Sequence, residues 1–136
     1  MSPSHGRRLP SMWIVAILLA ACATTPTRPT RSEFQDIPVP NGLTYVPDRS
    51  TIIGSPTVKA ARLVYRGRIE LESLAVAIRA TLESNGWRHL SSTTSSNPTT
   101  TQVYEKGGNS LQVVFWETWW YTYVEVTASR ALQVAK

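Results

Sequence analysis

The chain has 136 residues, of which 42% are hydrophobic and 17% charged, and its formal net charge is +5. That length holds one domain, and the apolar content excludes disorder along the whole chain. The basic bias is too mild for a nucleic-acid-binding protein, and a single cysteine, Cys22, excludes an intramolecular disulfide.

The first residues read as an export signal. His5-Gly6-Arg7-Arg8 is positively charged, and Met12 to Ala21 (MWIVAILLAA) is an uninterrupted apolar run. It has the length of a signal peptide's apolar region and is well short of the ~20 residues that cross a bilayer. The segment ends Leu19-Ala20-Ala21-Cys22, which resembles the bacterial lipobox. Small residues before the cut admit the backbone into a tight intramembrane protease site, and the cysteine thiol is the nucleophile that accepts a diacylglyceryl group. The resemblance implies a signal peptide over 1–21, with Leu19, Ala20 and Ala21 forming the cleavage site and Cys22 carrying lipid. Lipidation also removes a lone thiol from an oxidising compartment. Without Arg7 and Arg8, 12 basic residues face 9 acidic ones, a net charge of +3. In Gram-negative lipoproteins an Asp after the cysteine commonly retains the protein at the inner membrane. Ala23 stands there instead, and by that resemblance the periplasmic face of the outer membrane is expected.

Residues 22–35 are rich in Thr, Pro and Arg with no hydrophobic period, which predicts a lipidated cysteine followed by a solvated, flexible tether. A single domain is expected over 36–129. It opens with Asp36-Ile37-Pro38-Val39-Pro40, stiffened by its prolines, and Asn41-Gly42 supplies a turn. Ser50 to Ile53 and Val58 to Gly67 are strand candidates separated by Gly54-Ser55-Pro56-Thr57, which predicts a β-hairpin.

From Glu70 to Asn85 the period changes. Leu71, Leu74, Ala75, Ile78 and Leu82 recur at steps of three and four, drawing the apolar stripe of an amphipathic helix. Glu70 and Glu72 suit its first turn, and Asn85-Gly86 ends it, with Trp87 placed to fold back on the last turn. Strands are then expected over Trp87 to Ser91, Gln102 to Lys106, Leu111 to Trp116 and Trp119 to Ala128. A polar loop from Ser91 to Thr100 separates the first two, and Gly107-Gly108-Asn109 makes a hairpin turn. Residues 130–136 read as a tail. The order of β-hairpin, helix and antiparallel β-meander predicts an α+β fold of two layers, one helix on one face of a sheet.

No catalytic constellation is visible. His89 is the only histidine after residue 21, the densest run of serines (91–96) lies in a polar loop with no G-x-S-x-G setting, and the carboxylates are scattered. The chain is therefore expected to be no enzyme, and no metal and no cofactor are expected apart from the covalent lipid on Cys22. Two other features remain. Phe115, Trp116, Trp119, Trp120, Tyr121 and Tyr123 fall within nine residues. Strand alternation assigns Trp120, Val124 and Val126 to the core, joined by Leu111, Val113 and Phe115. It turns Trp119, Tyr121, Tyr123 and Glu125 outward beside Val114 and Trp116. One helix cannot cover both faces, so Trp116, Trp119, Tyr121 and Tyr123 read as an exposed aromatic binding face. Strand propensity and cross-strand pairing are the alternative account of the same residues. The second feature is basic. Arg62 and Arg66 share a strand face, about 13 Å apart at ~3.3 Å per residue, and alternate with Leu63 and Tyr65, the expected core pair. With Arg68 they are either an anion or headgroup site or a solvated face.

Four segments in order, Asp36-Ile37-Pro38-Val39-Pro40, Leu63-Val64-Tyr65-Arg66-Gly67-Arg68, Asn85-Gly86-Trp87 and Tyr104-Glu105-Lys106-Gly107, resemble a group of small bacterial lipoproteins of unknown function. The resemblance spans roughly Asp36 to Val126. It implies a single α+β domain and carries over no activity, ligand or site residue, and the dense Trp116 to Tyr123 cluster departs from the group's pattern. The expectation is thus a lipid-anchored envelope lipoprotein that binds or assembles through its aromatic face. Its partners would be the membrane, an envelope protein or a second copy, and not nucleic acid. The alternative is a passive or regulatory component that homodimerises through that face.

Overall fold

A computed structural model describes residues 34–97 and 99–131. The expected signal peptide, the lipobox-like segment with Cys22, the expected tether as far as residue 33 and the last five residues lie outside the described residues.

The chain is α+β. Among the described residues, one helix lies on one face of a seven-stranded antiparallel sheet. Strands β1 (Thr44–Tyr45), β2 (Thr51–Gly54) and β3 (Val58–Gly67) precede helix α1 (Leu71–Ser84). Strands β4 (Arg88–Thr94), β5 (Thr99–Lys106), β6 (Asn109–Glu117) and β7 (Thr122–Ala131) follow it. The hairpin and the meander are present as expected, and the lateral order is β1-β3-β7-β6-β5-β4, with β2 also on β3. Strand β7 pairs with β3 over Val58 to Gly67, so β1 and β2 share the other edge of β3. Between them the chain leaves that edge in a 3-10 turn over Pro47–Arg49. The backbone of Val64, opposite the gap, is satisfied by the excursion: its N–H donates to Ser50 Oγ (2.9 Å) and its C=O accepts from Val46 N–H (2.8 Å). Gly67 ends β3 against the Asn41-Gly42 turn, where a Cβ would come within 2.7 Å of the Gly42 carbonyl oxygen.

Helix α1 begins at Glu70, whose carboxylate accepts from the amides of Glu72 (2.8 Å) and Ser73 (2.7 Å). It ends in a Schellman pair. Trp87 N–H donates to Leu82 O and Gly86 N–H to Glu83 O, both at 3.0 Å, with Gly86 at φ +83. Leu74, Ala75, Ile78 and Leu82 are buried as the stripe requires, and Leu71 is partly buried. They pack on Leu63 and Tyr65 of β3, Leu111, Val113 and Phe115 of β6, and Val124 and Val126 of β7. Trp87 folds back into the same core.

Several boundaries differ from the sequence reading. Phe34, placed in the tether, is only 2% exposed and joins the core, with the Arg130 guanidinium 5.1 Å from its ring. Arg130 and Ala131, placed in the tail, extend β7, and Arg130 also pairs with Asp36. These ties join the two ends of the described residues. The polar segment expected as a loop is mostly a hairpin: β4 runs to Thr94 and β5 starts at Thr99, with Ser95 N–H donating to Thr99 O (3.0 Å). A strand exposed on both faces needs no apolar alternation, and β-branched threonines favour it.

Candidate functional site

The largest correction concerns β7. It begins at Thr122, so the alternation does not extend back over Trp119 and Trp120. Thr118 to Tyr121 instead form a closed turn. The Thr118 N–H and hydroxyl both donate to Tyr121 O (2.8 and 2.9 Å), and Tyr121 N–H returns to Thr118 Oγ1 (3.3 Å). Trp120, expected in the core, is 75% exposed, and Trp119, expected on the outer sheet face, is 98% exposed at the tip. Val124 and Val126 are in the core as expected.

The remaining aromatic residues do meet on the outer face. Cross-strand partners Trp116 and Tyr123 stack with centroids 5.4 Å apart and planes within 6°. Tyr121 meets Tyr123 edge-on at 6.5 Å. Guanidiniums cover these rings. Arg49, carried over the face by the 3-10 turn, lies 5.1 Å from the Tyr123 centroid. Arg66 and Arg68 lie 4.7 and 5.5 Å from that of Tyr121. Such contacts join dispersion to the attraction of a cation for the ring face. Tyr123 is consequently only 8% exposed, and Trp116 and Tyr121 are half-buried. The face is a mosaic of rings and arginines, and only its margins are open.

The basic set divides. Arg62 donates to Glu125 Oε2 at 2.6 Å, and the hydrogen bond, then the charge, of Glu125 raises its pKa. Among the described residues, Arg49, Arg66 and Arg68 have no carboxylate partner. Beside the ring stack, Asp48, Arg49, Thr51, Arg62, Val64 and Trp116 line a depression of about 400 Å³. The sequence marks neither Arg49 nor this depression, since both depend on the path of the excursion between β1 and β2.

A second concavity, about 650 Å³, opens between α1 and the β4–β5 hairpin. Glu70, Glu72, Arg79, Gln102 and Glu117 are among the residues that line it. Its floor is structural. Buried Gln102 accepts from the Tyr104 hydroxyl (2.7 Å) and donates to Ala75 O (3.4 Å), while Glu117 accepts from the Leu71 amide at the helix start (3.2 Å). Burial pushes the Tyr104 phenol up to about 12. His89 is half-buried on the β4–β5 hairpin, edge-on to Tyr104 at 5.3 Å, with Nε2 2.8 Å from Ser92 Oγ.

Among the described residues, no three His, Cys, Asp or Glu side chains are grouped to hold a metal ion. No described helix is long and apolar enough to cross a membrane. No family model matches the chain, and no curated protein matches it.

Proposed function

We propose that the chain is a lipoprotein of the bacterial cell envelope. It is cut before Cys22, anchored by lipid on that residue, and held at the periplasmic face of the outer membrane. Its domain is a non-catalytic binding or assembly module that works through the outer sheet face. The lipobox-like Leu19-Ala20-Ala21-Cys22 supports the anchor. The observation that carries the binding role is the ring stack of Trp116, Tyr121 and Tyr123, bordered by the adjoining depression and by Arg49, Arg66 and Arg68, which have no carboxylate partner among the described residues. Aromatic rings and arginines together are the composition of binding hot spots, and neither group is part of the core cluster on the helix side.

Two measurements test the two halves. Intact mass of the chain taken from membranes is expected to begin at Cys22 and to carry acyl groups; a chain that keeps residues 1–21 ends the lipoprotein reading. In-cell crosslinking with mass spectrometry then compares wild type with a Trp116→Ser/Tyr121→Ser variant that still melts cooperatively. Loss of one specific crosslinked species supports the binding face and names its partner, and a species made of two copies of this chain would select self-association. An unchanged crosslinking profile returns the aromatic residues to sheet packing.

A further inference from the structure

The Thr118–Tyr121 turn carries two tryptophans that do nothing for the fold. Its hydrogen bonds come from Thr118 and Tyr121 alone. Trp119 and Trp120 are 98% and 75% exposed, and among the described residues neither ring contacts another aromatic ring or a cation. Turn tips ordinarily carry Gly, Asn, Asp or Pro, whose conformations suit them. Two adjacent exposed indoles there need a reason outside the domain. Tryptophan, an apolar body with one N–H, concentrates where hydrocarbon meets water in a membrane interface.

We infer that the Trp119-Trp120 tip is a wedge that docks into the anionic headgroup region of the bilayer holding the protein's own anchor. The inference goes beyond the proposed binding module and rests on its lipid anchor.

Charge is the first support. Arg66 and Arg68 close over Tyr121 at the same end of the sheet, where β3 ends and β7 begins, and they have no carboxylate partner among the described residues. The carboxylates of that end, Glu70, Glu72 and Glu117, line the concavity on the helix side instead. At that end the sheet thus separates the two signs, Glu125 and Asp48 of the outer face lying farther along beside Arg62 and Arg49, and an anionic surface would meet the tip tilted toward its arginine side.

Chain length is the second support. Phe34 lies against Arg130 near the far end of β7, so the chain enters the domain at the opposite end from the tip. From Arg130 to Thr122 the strand covers about 27 Å at ~3.4 Å per residue. Twelve residue steps separate Cys22 from Phe34, and such a segment spans at most about 40 Å. The tether can therefore run back past the domain, so the tip and the anchor can share one surface. A lipid chain and a second, weaker contact are the usual combination for a stable, oriented attachment.

The test uses full-chain protein purified from membranes and reconstituted in vesicles whose phosphatidylcholine carries brominated acyl chains, with and without phosphatidylglycerol. Bromine quenches tryptophans that reach the acyl boundary. Wild-type emission is expected to be quenched more strongly when phosphatidylglycerol is present. A Trp119→Ser/Trp120→Ser variant with an unchanged melting temperature should lose most of that quenching. An Arg66→Gln/Arg68→Gln variant should lose the preference for anionic lipid. Equal quenching of wild type in both compositions overturns the anionic surface, and equal quenching of wild type and the tryptophan variant overturns the wedge. Intact mass of the same preparation reads the anchor separately: no acyl group on Cys22 ends the lipoprotein reading, whereas an acylated chain with an unquenched tip ends the wedge alone.

Discussion

The two faces of the sheet are buried by different means. On the inner face, Leu63, Val113, Phe115, Val124 and Val126 meet the aliphatic stripe of α1, and a second layer of secondary structure excludes water. Among the described residues no second layer of secondary structure covers the outer face, yet Tyr123 is nearly as inaccessible, because Trp116 stacks on it and Arg49 lies across it. Long polar side chains can cover apolar surface while their charged heads stay wet. The inner face therefore depends on shape and dryness, the outer face on ring and guanidinium contacts that can be replaced by a partner's. Stability should be concentrated in the first and adaptability in the second.

Mutations break that comparison in graded fashion. The largest effect is expected from Leu74→Asp or Ile78→Asp, which puts an unpaired carboxylate into the inner core. Both variants should lose the cooperative thermal melt, and unchanged melting would mean that the stripe does not hold the two layers together. Leu82→Ala leaves a cavity and should cost about 2–5 kcal/mol in denaturant unfolding. On the other face Trp116 is only half-buried and its removal leaves no enclosed cavity, so Trp116→Ala should cost less than Leu82→Ala, with the lost stacking contributing about 1 kcal/mol. A cost equal to that of Leu82→Ala would make the outer face part of the core. Glu70 gives a smaller, pH-dependent effect. Hydrogen bonding from Ser73, through its hydroxyl and amide, and from the Glu72 amide holds its carboxyl below the ordinary carboxylate range. The stabilisation is present above that range and is lost as pH falls through the lowered pKa. Glu70→Ala should thus melt lower than wild type at pH 7, with the gap closing in acid. At the alkaline end the Tyr104 phenol, raised to about 12 from near 10, favours the folded state below pH 10 and loses that contribution as pH climbs through 12. Over that window wild type should lose stability relative to Tyr104→Phe.

Much of the inner face was legible in the sequence, because the helix stripe from Leu71 to Leu82 and the alternation of Leu111, Val113 and Phe115 are periodic signals set by burial. The hairpin before the helix was legible from Gly54-Ser55-Pro56-Thr57. The Thr118–Tyr121 turn was not, since Trp119 and Trp120 are strand-favouring residues and no Gly, Pro or Asn marks the break. For the opposite reason the outer part of the β4–β5 hairpin, between Ser91 and Thr100, was read as a loop: Ser91 to Thr94 are exposed, and pattern reading follows burial. Phe34 was hidden by the composition around it. Of the outer face, Trp116, Tyr121 and Tyr123 were grouped correctly by alternation. Arg49 joins them through the excursion between β1 and β2, a matter of tertiary path that no local pattern encodes.

The place of β7 in the sheet governs how the domain comes into being. The last of the described strands lies between β3 and β6, and its ladder with β3 joins residues 55 (Gly67 with Thr122) to 73 (Val58 with Ala131) positions apart. Contacts that distant form late, because long loops must close before they gain anything. Every polypeptide emerges N-terminus first, so until residue 131 is available β3 and β6 each present an unpaired edge, and unpaired edges invite wrong partners. A chain stopped before Thr122 would accordingly be two half-sheets with no shared strand, and not a smaller version of the same protein.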